Sequence, residues 1–356
     1  MMSHARHVPA IPAPPRNAPR SRASTLRSTG AAIAFCSAAL LAMSGPLSAP
    51  AEAQGEPVRV LATVEMIADV ARNVAGSCAE VEALLGSGVD PHDYIATASD
   101  VTRLSTADLI LYVDFALEEQ LAAVLERLSA RIPTIGVLAA ALDPEDLLDD
   151  PAEPGQVDPH VWMDASLWAR IAPVISDAVV EQRPDCADAI AAHVDAYTVQ
   201  LQALYDWAGE SIATIPQDQR RLVTAHDAFE YFANAYGIEA SEAIEGISTA
   251  SEASIGDIRE VADYVIDNNV AAVFVETTVS PRTIEALVQE VRARGNRIEI
   301  GGELYSDAMG EPGTVGGTYI GMIYENTVTI TQALGGTPAA LPEALADWAR
   351  EWDIAQ

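Results

Sequence analysis

The sequence predicts an α/β protein of two lobes, with mostly parallel sheets and one long helix between them. Short β-rich runs alternate with amphipathic helical stretches in each half of the chain, which is the pattern of βαβ units. The stretch from Asp185 to Ile212 lacks a strand signal, and Gly209 is its first Gly or Pro. It therefore predicts one helix of about 25 residues, about 40 Å long, that joins the lobes directly.

Each half of the chain contributes four predicted strands. They cover residues 58–64, 81–85, 109–114 and 132–138 in the first half, and 221–226, 238–244, 271–277 and 296–302 in the second. The stretches between them place apolar residues at helical spacing. Ligands of such folds bind beyond the carboxyl ends of the strands, which predicts a site at the mouth between the lobes.

The first 53 residues have the features of a secretory signal peptide. Five arginines precede an apolar stretch from Ala31 to Met43, and an A-x-A pattern ends at Ala53. The apolar stretch is shorter than the roughly 20 residues of a transmembrane helix. Cys36 follows a bulky Phe, a poor context for lipidation. We therefore expect a soluble exported, periplasmic protein, the alternative being an uncleaved signal that tethers the chain to a membrane.

The remaining chain is strongly acidic. It has 15 Arg, no Lys and 51 acidic residues. This balance excludes nucleic-acid binding, which needs a basic stripe. The acidic residues are spread over the whole chain, so we interpret them chiefly as solvation of the surface. Two cysteines, Cys78 and Cys186, remain after cleavage, and the sequence leaves open whether they form a disulfide.

Two copies of Asp-Pro-His point to a transition-metal site. Four histidines remain after residue 53, and the two motifs hold His92 and His160. Pro restricts the preceding Asp to an extended conformation, so each imidazole is presented on a stiff backbone. His226 ends a predicted strand, and three imidazoles from distant segments suit a transition metal. His193 lies on the long helix and is interpreted as a surface residue.

The fourth ligand remains open on physical grounds. Asp307 follows a predicted strand and Glu276 lies at the end of another, and either carboxylate could complete the site. The acidic loop at 141–156 could capture metal loosely, although a solvated loop is the simpler interpretation.

The chain resembles the TroA-like family of solute-binding proteins of zinc and manganese ABC importers. The segments that carry the resemblance are GVDPHDYIATASD, DPHVWMD, TAHDAFEYFANAYGIE, GISTASEAS and IGGELYSDAMG with GTYIGMIYEN. The resemblance implies two (β/α)4-type lobes joined by one rigid helix, with one ion held between the lobes. It places the metal ligands at His92, His160, His226 and Asp307 and leaves Glu276 outside the coordination shell.

The resemblance also implies partners and a cargo. The protein is expected to be a monomer that delivers Zn²⁺ or Mn²⁺ to the membrane permease and ATPase subunits of an ABC importer. Manganese-preferring members have Glu at the position of His226, and many zinc-specific members have a His-rich loop; this chain has neither. Its donor set favours zinc.

The domain boundaries expected from the resemblance and the long helix are 1–53 for the signal, 54–184 for the first lobe, 185–212 for the linking helix and 213–356 for the second lobe. Two other functions are alternatives for an exported metal-binding chain: a secreted zinc hydrolase and a surface adhesin. The hydrolase would need an open coordination position, and the chain has no H-E-x-x-H motif. Asp307 as a fourth ligand would close that position, so we expect no enzyme activity. For the adhesin, no adhesive module is evident.

Overall fold

The structure is a computed structural model that describes residues 55–150, 155–250 and 253–354. The predicted signal peptide, residues 1–53, lies outside the described residues. Within the described ranges, no helix is both long enough and apolar enough to cross a membrane.

Eight strands and twelve α-helices make up the described chain. Each strand overlaps one of the predicted runs. The strands are β1 Val58–Ala62, β2 Ala79–Ala83, β3 Leu109–Tyr112, β4 Thr134–Gly136, β5 Arg221–His226, β6 Ala240–Glu245, β7 Ala272–Glu276 and β8 Glu299–Leu304. The helices are α1 Glu65–Ala75, α2 Ala98–Thr106, α3 Ala122–Ser129, α4 Val137–Ala141, α5 Ala165–Trp168, α6 Ile171–Gln182, α7 Ala187–Ile212, α8 Glu230–Tyr236, α9 Ile255–Asp267, α10 Arg282–Ala293, α11 Tyr319–Ala333 and α12 Ala346–Glu351.

The amino-terminal half contains one four-stranded parallel sheet in the order β2-β1-β3-β4. Val60 of β1 pairs with Val81 on one side and Leu109 on the other, so β1 lies inside the sheet. The central strands carry apolar side chains that are buried under the flanking helices, as expected for a parallel sheet covered on both faces. The prediction of an α/β lobe with parallel strands is confirmed here.

The carboxy-terminal half contains two parallel strand pairs, β5-β6 and β7-β8. β5 and β7 lie side by side. At the end of β5, however, the backbone N–H groups donate to a side chain of β7 and not to its backbone. The backbone N–H groups of Ala225 and His226 both donate to Oε1 of Glu276, at 2.7 and 3.0 Å. This carboxylate therefore fixes the end of β5, where His226 lies.

Helix α7 links the two halves and contacts both. It runs for 26 residues without Pro, and Gly209 is its only Gly. Tyr197 donates from its hydroxyl to Asp69 of α1, and Trp207 donates from Nε1 to the carbonyl of Ala339 near the carboxyl end. The prediction of a long linking helix is confirmed. An unbroken helix keeps its internal hydrogen bonds only if it stays nearly straight, so it restrains the two halves.

A disulfide joins Cys78 to Cys186, with a Cα–Cα distance of 6.3 Å. Cys78 lies immediately before β2, and Cys186 immediately precedes α7. The bond therefore ties the start of an edge strand to the first turn of the linking helix. Disulfides persist in oxidising compartments, so this bond agrees with the expected export of the chain.

Buried aromatic side chains pack between the halves. Trp162 and Trp168 meet at a ring distance of 6.3 Å, and Trp168 stacks on Tyr319 of α11 at 6.0 Å. All three are fully buried. Aromatic side chains of this size remove roughly 150–250 Å² each from water, so they hold the two halves together through a large apolar contact.

Candidate metal centre

Four segments bring their side chains to one buried point. His92 lies in the loop after β2, His160 precedes a 3-10 turn at Val161–Met163, His226 is the last residue of β5, and Asp307 follows β8. One ligand atom from each lies within 4.8 Å of the others. The four residues are between 0 and 5% exposed. The folded chain thus assembles the four residues that the resemblance named.

The distances within the centre fit a single small ion. Nε2 of His160 lies 3.3 Å from Oδ1 of Asp307, and Nε2 of His226 lies 3.2 Å from Oδ2. Nε2 of His92 is 3.4 Å from Nε2 of His160 and 4.0 Å from Asp307. Two ligand atoms about 2.1 Å from a tetrahedral zinc ion are about 3.4 Å apart. The three shorter distances are close to this value, and the distance from His92 to Asp307 is longer.

Several polar atoms in the centre are buried without a hydrogen-bond partner. They are Nε2 of His226 and both carboxylate oxygens of Asp307. A buried acceptor without a partner is costly unless a cation or proton satisfies it. Because these atoms converge on one point, a metal ion would satisfy all of them together.

Carboxylates orient two of the three imidazoles. Nδ1 of His160 lies 2.7 Å from Oδ1 of Asp158, and Nδ1 of His226 lies 2.5 Å from Oε2 of Glu276. A carboxylate accepts, so each Nδ1 donates its hydrogen and Nε2 is left with the lone pair that a metal ion requires. Asp158 and Glu276 therefore fix both the ring orientation and the tautomer of their histidines.

His92 is held differently. Asp90, the first residue of its Asp-Pro-His motif, accepts from the backbone N–H of His92 at 2.8 Å and not from its ring. Among the described residues, no carboxylate accepts a hydrogen bond from Nδ1 of His92. At 5% exposure, His92 is also slightly more open to solvent than His160 and His226, which are fully buried. The two Asp-Pro-His motifs are thus equal in sequence but not in structure.

Burial and charge shift the pKa values of the centre in opposite directions. Burial lowers the pKa of His92 to about 4, although Asp307 opposes this shift. Burial also disfavours the charged form of His160, but Asp158 and Asp307 outweigh it and raise its pKa to about 9. The pKa of His226 is likewise well above its usual value despite burial, because Asp307 and Glu276 are close. A proton therefore competes with any cation at His160 and His226 near neutral pH.

The other residues considered from the sequence have other positions. Glu276 contacts Nδ1 of His226, on the side of the ring away from Asp307, and is not one of the four converging residues. His193 is exposed on α7, and its Nδ1 lies 3.1 Å from the carbonyl oxygen of Val74. In the acidic loop, Asp146 pairs with Arg170 at 2.7 Å. Sequence reasoning missed the role of Glu276 in holding His226; its position at the end of a neighbouring strand was the available signal.

Trp162 links the His160 segment to Asp307. Its Nε1 donates to the carbonyl oxygen of Ser306 at 2.9 Å, and its ring meets the imidazole of His160 edge to face at 5.1 Å. Tyr319 donates in turn to the carbonyl oxygen of Trp162 at 2.8 Å. This network positions two of the converging side chains relative to each other.

The sequence matches known proteins over most of its length. Residues 60–333 match the family ZnuA, described as zinc-uptake complex component A, periplasmic. The manganese-binding lipoprotein MntA of Bacillus subtilis (strain 168) is 40% identical over 279 residues, which are 78% of this chain and 90% of MntA. The zinc-binding protein TroA of Treponema pallidum (strain Nichols) is 40% identical over 287 residues, 81% of this chain and 92% of TroA.

Solved structures give the same result. The periplasmic zinc-binding protein TroA from Treponema pallidum superposes with a TM-score of 0.75 at 38% identity, covering 78% of this chain and 99% of that one. The Fe(III)-bound YtgA from Chlamydia trachomatis superposes with a TM-score of 0.72 at 28% identity, covering 80% and 100%. The resemblance and the fold class expected from the sequence are confirmed, and the chain belongs to the ZnuA family of periplasmic metal-binding proteins of ABC importers.

Proposed function

We propose that this protein is an extracytoplasmic receptor that binds one divalent transition-metal ion at His92, His160, His226 and Asp307. It would pass the ion to the permease and ATPase subunits of an ABC importer. The observation that carries this proposal is the convergence of four buried ligand atoms within 4.8 Å, with those of Asp307 and His226 lacking any other partner. Family membership supports the same role.

The donor set supports capture and not catalysis. Three imidazole nitrogens and one carboxylate can fill a tetrahedral shell, whereas catalytic zinc keeps an open position for water. Burial of all four residues also excludes bulk solvent from the centre. Neither the family nor the relatives named above are described as hydrolases, so we propose that the protein has no enzyme activity.

The cargo is zinc or manganese, and the donor set favours zinc. Imidazole nitrogens suit zinc, whereas manganese prefers harder oxygen ligands. The relatives include a zinc-binding protein and a manganese-binding lipoprotein at equal identity. Sequence similarity therefore does not discriminate between the metals, and the donor chemistry is the stronger argument.

The proposal extends to the location and organisation of the chain. Residues 1–53 would direct export and be removed, leaving a soluble periplasmic monomer that does not bind nucleic acid. The lobes would cover 54–184 and 213–356, with 185–212 as the link. The disulfide between Cys78 and Cys186 supports an oxidising location.

Native mass spectrometry of the mature protein, refolded with equimolar zinc and manganese, tests the proposal. We expect one ion per chain, predominantly zinc. The variant His160→Ala should lose the ion, because it removes a fully buried ligand. The variant His193→Ala is the matched control, since it removes an exposed histidine outside the centre. A protein that binds no ion, or a His160→Ala variant that keeps it, would contradict the proposal.

A further inference from the structure

The loop at residues 86–97, here called the His92 loop, is joined to the carboxy-terminal half by one side-chain hydrogen bond among the described residues. The hydroxyl of Thr249 donates to Oδ2 of Asp90 at 2.6 Å. Thr249 follows β6, whereas Asp90 lies in the loop after β2, so the bond spans the two halves beside the metal centre. Within residues 55–150, 155–250 and 253–354, no other side-chain hydrogen bond connects residues 86–97 to the second half.

We infer that Thr249 is a positioning residue whose bond to Asp90 holds the His92 loop closed and slows the release of the bound ion. This inference rests on the proposed function of the centre. It assigns no contact between Thr249 and the ion. Thr249 acts through Asp90 and the backbone of the loop.

The carboxylate of Asp90 connects this bond directly to the ligand. Oδ1 of Asp90 accepts from the backbone N–H of His92 at 2.8 Å, while Oδ2 accepts from Thr249. The intervening Pro91 restricts the backbone between the two residues. Movement of Asp90 away from Thr249 would therefore carry His92 with it.

On the other side of the centre, more hydrogen bonds join the His160 segment to the carboxy-terminal half. Trp162 donates to Ser306, Tyr319 donates to Trp162, and Tyr231 contacts both Leu148 and Asp158. These bonds all connect the His160 side to the second half. An ion that leaves the buried centre must open one wall, and the wall with fewer bonds across it opens at lower cost.

The expected effect follows from the strength of the bond. Removing a hydrogen bond to a charged acceptor should raise the rate at which the His92 loop opens by on the order of ten-fold. The ion would otherwise be held by the same four ligands. The effect is measured as dissociation, because the bound ion leaves only through the opening that the bond opposes.

The test is the dissociation rate of Zn²⁺ from the mature protein, followed by stopped-flow trapping with a chromophoric chelator. Thr249→Val removes the hydroxyl with little change in shape, and we expect dissociation about ten-fold faster. Thr249→Ser keeps the hydroxyl and should release the ion at the parent rate. If Thr249→Val folds poorly, Thr249→Ala serves in its place.

Thr283→Val is the matched control. Thr283 is also half-buried, and its hydroxyl donates to Glu245 at 3.1 Å, but both residues lie in the second half. Its loss should leave the dissociation rate unchanged. An unchanged rate in Thr249→Val, or equal acceleration in Thr249→Val and Thr283→Val, would overturn the inference.

Hydrogen exchange of the metal-free protein separates this inference from the proposed function. Thr249→Val should exchange faster at residues 86–97, and Thr283→Val should not. A parent protein that binds no ion would refute the proposed function alone. Unchanged exchange at residues 86–97 in Thr249→Val would refute the inference about Thr249 even if the ion binds.

Discussion

Replacing Glu276 by Gln tests how the protein prepares His226 for a metal ion. Glu276 is 3% exposed, and it accepts from the backbone N–H groups of Ala225 and His226 and from Nδ1 of His226. Gln can keep both backbone contacts through its carbonyl oxygen. Its amide group donates, however, and it would then face Nδ1 as a donor. His226 would carry its hydrogen on Nε2, the atom that lies 3.2 Å from Asp307.

The expected loss of affinity is about 10- to 100-fold, the range for removing a group that orients a metal ligand, or about 1.4–2.8 kcal/mol. Glu276 also raises the pKa of His226, so its loss weakens the competition by protons. That second effect partly offsets the first at neutral pH. The measured loss should therefore grow as the pH is raised from about 7 to about 9.

Isothermal calorimetry in competition with a chelator measures the affinity, and thermal unfolding of the metal-free variant checks its fold. Glu303→Gln is the control, because Glu303 lies on the adjacent strand β8 but is exposed. It removes the same charge and should leave the affinity within about two-fold, as for surface charges screened by water. An unchanged affinity in Glu276→Gln, or an equal loss in Glu303→Gln, would refute the reasoning.

Three further predictions concern protons, the disulfide and the motion of the halves. Because the pKa of His160 is raised to about 9, binding of Zn²⁺ should displace a proton, and the affinity should weaken as the pH falls below about 9. Calorimetry in buffers of different ionisation enthalpy should detect the released proton, and an affinity independent of pH between about 8 and 6 would contradict this. Replacing Cys78 and Cys186 by Ser removes a disulfide between residues separated by 108 positions, which should lower the free energy of unfolding by about 5 kcal/mol. Urea titrations measure this loss, and a value below about 1 kcal/mol would contradict the prediction. Removing the ion should leave the radius of gyration nearly unchanged in small-angle scattering, because α7 has no Pro and only Gly209 near its end. Hydrogen exchange should increase at residues 301–316, and a large opening of the protein would count against a rigid link.

Much of the architecture follows from the periodicity of the chain. The alternation of β-rich and amphipathic stretches predicted all eight strands, and the unbroken run before Gly209 predicted α7. These features depend on local composition and spacing, which a sequence shows directly. The hydrogen bonding at the end of β5 was not predictable in this way, because a side chain, Glu276, and not a neighbouring backbone accepts from the N–H groups of Ala225 and His226.

The centre was only partly accessible from the sequence. Scarce histidines at the ends of strands and in two Asp-Pro-His motifs indicated His92, His160 and His226, because parallel strands end at the same edge of a sheet. Physical reasoning left Asp307 and Glu276 as alternatives, and the resemblance favoured Asp307. In the structure Asp307 converges with the three histidines, while Glu276 lies behind His226.

The sequence by itself determined the fold class, the family and the set of candidate ligands, since these depend on patterns along the chain. Only the tertiary structure distinguished the two identical Asp-Pro-His motifs. In both, the Asp accepts from the backbone N–H of its His, but only Asp158 also holds the imidazole ring, whereas the second oxygen of Asp90 accepts from Thr249. The physical reason is that the hydrogen bond between Thr249 and Asp90 depends on the distance and direction between groups 159 positions apart in the chain, which no local pattern encodes.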